Sequence, residues 1–136
     1  MRTFDTNVVV RIVLGDDPDQ SALAARYWRD ALASGGICLP IVVLIEVAWA
    51  LAYSAKFDRA RVLSELRRLT SMQGVWVENA TLVRRAVERY AETTVDFADC
   101  LVLESARDAG ALPVQTFDRC FARQTDVVLM TPEQAR

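Results

Sequence analysis

Short apolar runs alternate with amphipathic stretches along the whole chain, and no two-residue hairpin turn joins any pair of them. Strands read at residues 1–4, 37–39, 74–78, 113–116 and 127–130. Helical patterns fill the gaps at 8–14, 19–33, from Pro40 to about residue 55, 57–71, 81–90 and 96–109, with room for one short helix between the last two strands. Gly15-Asp16-Asp17-Pro18, Ser34-Gly35-Gly36 and Gly110 punctuate them, Asp58 suits an N-cap, and Pro40 suits a first helical turn. Strands separated by helices must pair through crossovers, which gives a parallel sheet covered on both faces. The expectation is one α/β domain over residues 1–136, a three-layer α/β/α sandwich around a central parallel sheet.

In such sheets ligands sit outside the carboxyl ends of the strands, so acids at those ends are informative. Asp5 closes the first strand, Asp118 follows the strand at 113–116, Asp96 and Asp99 open a helix, and Glu46 lies two turns into another. Each also has a plain structural use. Asp5 and Asp118 could cap the helices after them, Asp96-x-x-Asp99 could be a variant capping box, and Glu46 could pair with an arginine. Glu46 fits its plain use least, being the only charged residue between Leu39 and Ala55.

The helix beginning VDFADCLVLESAR raises the same question. On a helical wheel Val102, Leu103 and Ala106 fall within about 60° of Asp99, while Glu104, Arg107 and Asp108 gather on the other flank. Asp99 is therefore expected to face the packed side, with Glu104 toward water. A carboxylate buried alone costs several kcal/mol, so Asp99 needs a cation, a donor cluster or a cleft.

Composition narrows the chemistry. The chain has no histidine, which removes histidine-based triads, His–Cys zinc sites and imidazole acid–base catalysis. Its three cysteines are scattered and read as reduced core residues of a cytoplasmic protein, and no leader-like segment opens the sequence. The apolar stretch 35–55 is interrupted by Pro40 and Glu46 and reads as a buried helix, not a membrane span. Of sixteen basic residues only Lys56 is lysine, a bias that suits bidentate phosphate contacts but also follows from a GC-rich genome. A net charge of −2 offers no global attraction for nucleic acid.

Converging at one end of the sheet, Asp5, Glu46, Asp99 and Asp118 would repel one another unless a divalent cation neutralised them. Oxygen-only ligation points to a hard ion, Mg²⁺ or Mn²⁺. Such an ion can polarise a phosphodiester and activate a water. An aspartyl-phosphate phosphatase fits poorly, since position 7 is Asn7 and the one lysine sits in an apparent helix linker. A receiver domain fails on the same lysine and on the missing acidic pair.

FDTN at 4–7, the lone Glu46, DFADCLV at 96–102 and TFDR at 116–119 together resemble the PIN-domain family, most closely its small VapC-type toxins. The resemblance covers essentially the whole chain. It implies a PIN-like α/β/α fold and Mg²⁺- or Mn²⁺-dependent endoribonuclease activity on tRNA or rRNA, held in check by a cognate antitoxin. It also implies a homodimer. Asp5, Glu46 and Asp99 match the family's acidic core and Asp118 its more variable fourth acid, with Asp5 and Asp99 expected to hold the ion. Thr6, Asn7 and Thr116 match supporting polar positions, and Asp96 an accessory acid. Arg11, Arg119 and Arg123 are candidate RNA contacts by their proximity to these motifs. The alternatives are an acidic binding module without nuclease activity and a PIN-type nuclease of RNA processing.

Overall fold

The computed structural model describes residues 1–135. Strand β1 (Arg2–Thr3) leads into helix α1 (Thr6–Leu14), which Asp5 caps by accepting from the Val8 N–H, and which Gly15 ends in the left-handed region. Helix α2 (Pro18–Ala33) has Asp17 as its N-cap and proline at its first position. Strand β2 (Ile37–Leu39) is followed by α3 (Ile41–Trp49), whose winding widens to a π turn over Ala50–Ser54. Helix α4 (Arg59–Ser71) starts on the expected Asp58 cap, and β3 (Val75–Val77), α5 (Ala80–Glu92) and α6 (Phe97–Asp108) follow. Strands β4 (Val114–Thr116) and β5 (Val127–Leu129) flank a short 3₁₀ turn at Phe121–Arg123.

The pairing is parallel throughout, as crossover connections require. It forms two short ladders in place of one continuous sheet: β1-β2-β3, with Arg2 opposite Ile37 and Ile37 opposite Val75, and β4-β5, with Val114 opposite Val127. The fold is therefore α/β and mostly helical around a small parallel sheet. Pro40 precedes α3 and has no side-chain cap to offer; Glu78, just beyond β3, reaches across to accept from the Ile41 N–H at 2.8 Å.

The core runs from Val9 and Trp28 through Ile37, Leu39, Leu44, Leu51 and Leu66 to Val83, Phe97 and Leu103. Helix α2 packs on β2, α4 and α5 on β3, and α6 on β4, while α3 touches both α1 and α6. No helix among the described residues is long and apolar enough to cross a membrane.

One face was left open by the sequence and another differs from its expectation. Helix α3 buries Val43, Leu44, Val47, Ala48 and, in its π turn, Leu51, but exposes Val42, Glu46, Trp49 and Tyr53, so Glu46 is on the surface. Helix α6 buries Phe97, Cys100, Leu101, Leu103 and Glu104, leaving Asp99 half-buried and Val102 exposed. Glu104, expected toward water, is the one buried charged residue among those described, at 4% exposure. Packing of α6 on α5 puts it against Arg89 (2.7 Å) and Arg85 (3.2 Å).

Candidate active site

Local sequence explains where each acid stands. Asp5 and Asp118 both serve as caps: Asp5 Oδ1 accepts from Val8 at 3.2 Å, and Asp118 Oδ1 accepts from Cys120 and Phe121 at 2.8 and 3.2 Å. In each the Oδ1 atom takes the backbone bonds, and Oδ2 accepts no hydrogen bond among the described residues. Asp96 stands at the N-cap position of α6 but makes no capping bond, so the variant capping box that its spacing to Asp99 allowed does not form. Its carboxylate accepts from the Tyr53 hydroxyl instead, at 3.0 and 3.2 Å. Glu46 pairs with no arginine among the described residues; it accepts from the Thr6 hydroxyl at 3.1 Å.

The acids fall into two groups. Thr6 ties Glu46 on α3 to the Asp5 turn at the head of α1. Asp96, Asp99 and Asp118 line a second, small cavity of about 100 Å³ with Thr94, Val95, Cys120 and Phe121. Burial, then the charges of Asp96 and Asp118, hold the Asp99 carboxyl above the usual carboxylate range. The opposing field is the N-terminal end of α6, where negative charge is favoured. Helix α3, which carries Glu46, packs on both α1 and α6, the helices that Asp5 and Asp96 precede.

The polar residues of the motifs have visible partners. Thr116 Oγ1 accepts from the Asp118 N–H at 2.9 Å and so fixes the turn that carries that acid. Asn7 is exposed and shares a groove of about 500 Å³ with Phe4, Asp5, Arg11 and Tyr27. Arg11 is held by Asp16 at 2.9 Å and Gln20 at 3.0 Å, whereas Arg119 and Arg123 are exposed and in no ion pair among the described residues.

Arg59 is a residue that the sequence did not single out. It donates to the carbonyls of Tyr90 (2.8 Å) and Val95 (2.6 Å), with its guanidinium 3.7 Å above the Tyr90 ring. It thus ties α4 to the loop that delivers Asp96 and Asp99. The only prior signal was an arginine directly after an N-cap, which does not distinguish it from other surface arginines.

Among the described residues no three Asp, Glu or Cys side chains are grouped closely enough to chelate one ion together. The donor chemistry still fits a hard cation. Mg²⁺ commonly takes one or two carboxylates, keeps several waters and completes its shell with substrate phosphate. Carboxylates that keep one oxygen clear of the backbone bonds, together with Asp99, held above the usual range by burial and then by Asp96 and Asp118, match that requirement.

A small α/β domain with carboxylates after parallel strands and at a helix start belongs to the class of folds that build acidic sites on rigid ends. Residues 3–126 match the family model described as PIN domain, and the chain belongs to that family. PIN domains are in general nucleases, hydrolases of phosphodiester bonds, and typically use Mg²⁺ or Mn²⁺. Comparison with curated proteins and with solved structures gave no match.

Proposed function

We propose that this chain is a Mg²⁺- or Mn²⁺-dependent endoribonuclease, the toxin of a toxin–antitoxin pair, cutting cellular RNA such as tRNA or rRNA in the cytoplasm. The observation that supports the reading most directly is the grouping of Asp96, Asp99 and Asp118 around one cavity in a chain of the PIN family. Asp5 and Asp99 would hold the ion, with Glu46 and Asp118 completing its surroundings. When bound, the ion supplies charge stabilisation at the phosphodiester and an acidified water.

The chain's own residues do the positioning. The caps fix Asp5 and Asp118 against backbone N–H groups, and Thr6 orients Glu46. Exposed Arg119 and Arg123 suit the RNA backbone better than Arg11, which Asp16 already occupies. A cognate antitoxin and a second copy of the chain are the proposed partners.

The test is cleavage of total RNA by the purified protein with Mg²⁺, with EDTA, and with Asp5→Asn or Asp99→Asn. Discrete fragments that require both the metal and the aspartates support the proposal. The binding-module reading has one observation in its favour, the capping roles of Asp5 and Asp118. It predicts that Glu46→Ala, which removes no cap, leaves every activity intact.

A further inference from the structure

We propose that Trp49 and Tyr53 form a stacking platform for an unpaired base of the nucleic-acid strand cut at the acidic site. The inference rests on the nuclease reading and adds to it how a single-stranded segment is held.

Val42, Glu46, Trp49 and Tyr53 recur at four-, three- and four-residue steps and so make one stripe along the outer face of α3 and its π turn. Trp49 is 60% exposed and Tyr53 53%, unusual for large rings, and the two lie 5.6 Å apart with their planes tilted by 42°. Neither ring is loose. The Tyr53 hydroxyl donates to Asp96, and Trp49 leans on the ring so anchored. Order present before binding lowers the cost of binding. The cavity beneath them, about 70 Å³ between Ile45, Tyr90 and Phe97, is too small for a nucleobase. A base must therefore lie across the outer surface of the rings.

The stripe is continuous with the acids at both ends. Glu46, one turn before Trp49, is tied through Thr6 to the Asp5 turn; Tyr53 touches Asp96, three residues before Asp99. Phe117, 80% exposed beside Asp118, offers a further ring at the fourth acid. Charge selects the occupant. A second copy docking isologously on this stripe would bring its own Glu46 and Asp96 toward ours, like charge against like. A base brings a neutral π face, and the phosphate attached to it, which these acids would otherwise repel, would go to the ion that the nuclease reading requires. With a net charge of −2 the chain has little phosphate attraction to draw on, and base–aromatic stacking, which tolerates any sequence, can carry affinity in its place.

The experiment mixes the full-length protein with a single-stranded RNA octamer in Mg²⁺ or Mn²⁺ under stopped flow. It follows tryptophan emission, cleavage kinetics and oligomeric state together. Trp76→Phe serves as the background, because Trp76 is exposed as well. Trp49 emission is expected to be quenched in the binding phase. Trp49→Ala should raise KM roughly 5- to 150-fold with kcat within about twofold, while Trp49→Phe restores most of the loss. Tyr53→Phe, which keeps the ring and removes only its anchor, should raise KM by a smaller factor. An active wild type whose KM is unmoved by Trp49→Ala overturns the platform and leaves the nuclease reading standing. A dimer that Trp49→Ala converts to monomers at unchanged KM makes the stripe a subunit interface and overturns it too. No quenching by the folded wild type with either metal overturns the platform; if total RNA is left uncut as well, the nuclease reading falls with it.

Discussion

Replacing Glu104 with alanine should destabilise the fold far more than removing any other acid of the α5–α6 surface. The carboxylate is 4% exposed and accepts from Arg89 at 2.7–2.8 Å through Oε1. Arg85 lies 3.2 Å from Oε2 without a well-aligned hydrogen bond, and Arg107 is further off at 3.8 Å. Removing one partner of a fully buried pair costs about 3–5 kcal/mol, because the other charge is left unpaired. Here the three arginines keep part of their hydration, which lowers the expectation to about 2–3 kcal/mol. With an unfolding entropy of about 2 cal/mol/K per residue, that is a fall in Tm of roughly 7–10 °C for a chain of this length. Glu104→Gln, which keeps the volume and one acceptor, should lose about half as much. The assay is urea unfolding followed by circular dichroism at low and high salt, with Glu88→Ala as the control. Glu88 pairs with Arg67 at an exposed site, so its loss should stay under about 0.5 kcal/mol and shrink in salt. A Glu104→Ala loss below about 1 kcal/mol, or one that salt abolishes, would refute the claim that this carboxylate is the buried anchor of α6.

Four further outcomes follow from other contacts. In EDTA, Asp99→Asn is expected to leave Tm unchanged or raise it slightly, since it removes a charge that burial, Asp96 and Asp118 all disfavour, and the same variant should lose the Mg²⁺-induced rise in Tm. Arg59→Ala should cost about 2 kcal/mol in urea unfolding, and Arg59→Lys should recover only part of it, because lysine cannot reach both the Tyr90 and Val95 carbonyls while covering the ring. Thiol titration should modify exposed Cys120 first and Cys38 more slowly, with Cys100, fully buried and pushed up to about 11, reacting only on unfolding. Burial holds the Tyr90 phenol above its ordinary value of 10.0, so the neutral ring's contribution is present below that pH and is lost as pH rises through the raised value; Tyr90→Phe should flatten this alkaline decline in Tm.

Much of the fold was legible because its signals are local. The strand at 37–39, the Asp58 cap and the Gly15 stop each depend on a few neighbouring residues, and all three stand where the pattern puts them. The face of α6 was misread because its phase was set from the acid and not from the apolar residues, and the face of α3 was left open. In α6, Phe97, Cys100 and Leu101 at i, i+3 and i+4 already mark position 104 as the next buried one, so Glu104 could have been found by starting from Phe97. In α3 nearly every residue is apolar, and composition hides which side faces out. The series Val43, Leu44, Val47, Ala48 and Leu51 holds the buried phase and leaves Glu46 opposite. The Arg59 bridge was not legible at all, because its acceptors are main-chain carbonyls 31 and 36 residues away.

The structural and chemical uses of the acids are not rivals, and the way they combine decides which variants are informative. Asp5 and Asp118 each spend the Oδ1 oxygen on backbone N–H groups, which orients the Oδ2 oxygen without any ligand. Alanine at either position removes a cap, at about 1 kcal/mol, together with a carboxylate, so lost activity there has two explanations. Asparagine keeps the cap and changes only the charge, which is why it is the substitution to use at position 5. Glu46 and Asp99 have no capping duty: one accepts from a threonine hydroxyl, and the other accepts no hydrogen bond among the described residues. Loss of activity at those two positions with stability intact therefore reports on chemistry alone. A site whose function survived at 46 and 99 but failed at 5 and 118 would be acting through its caps.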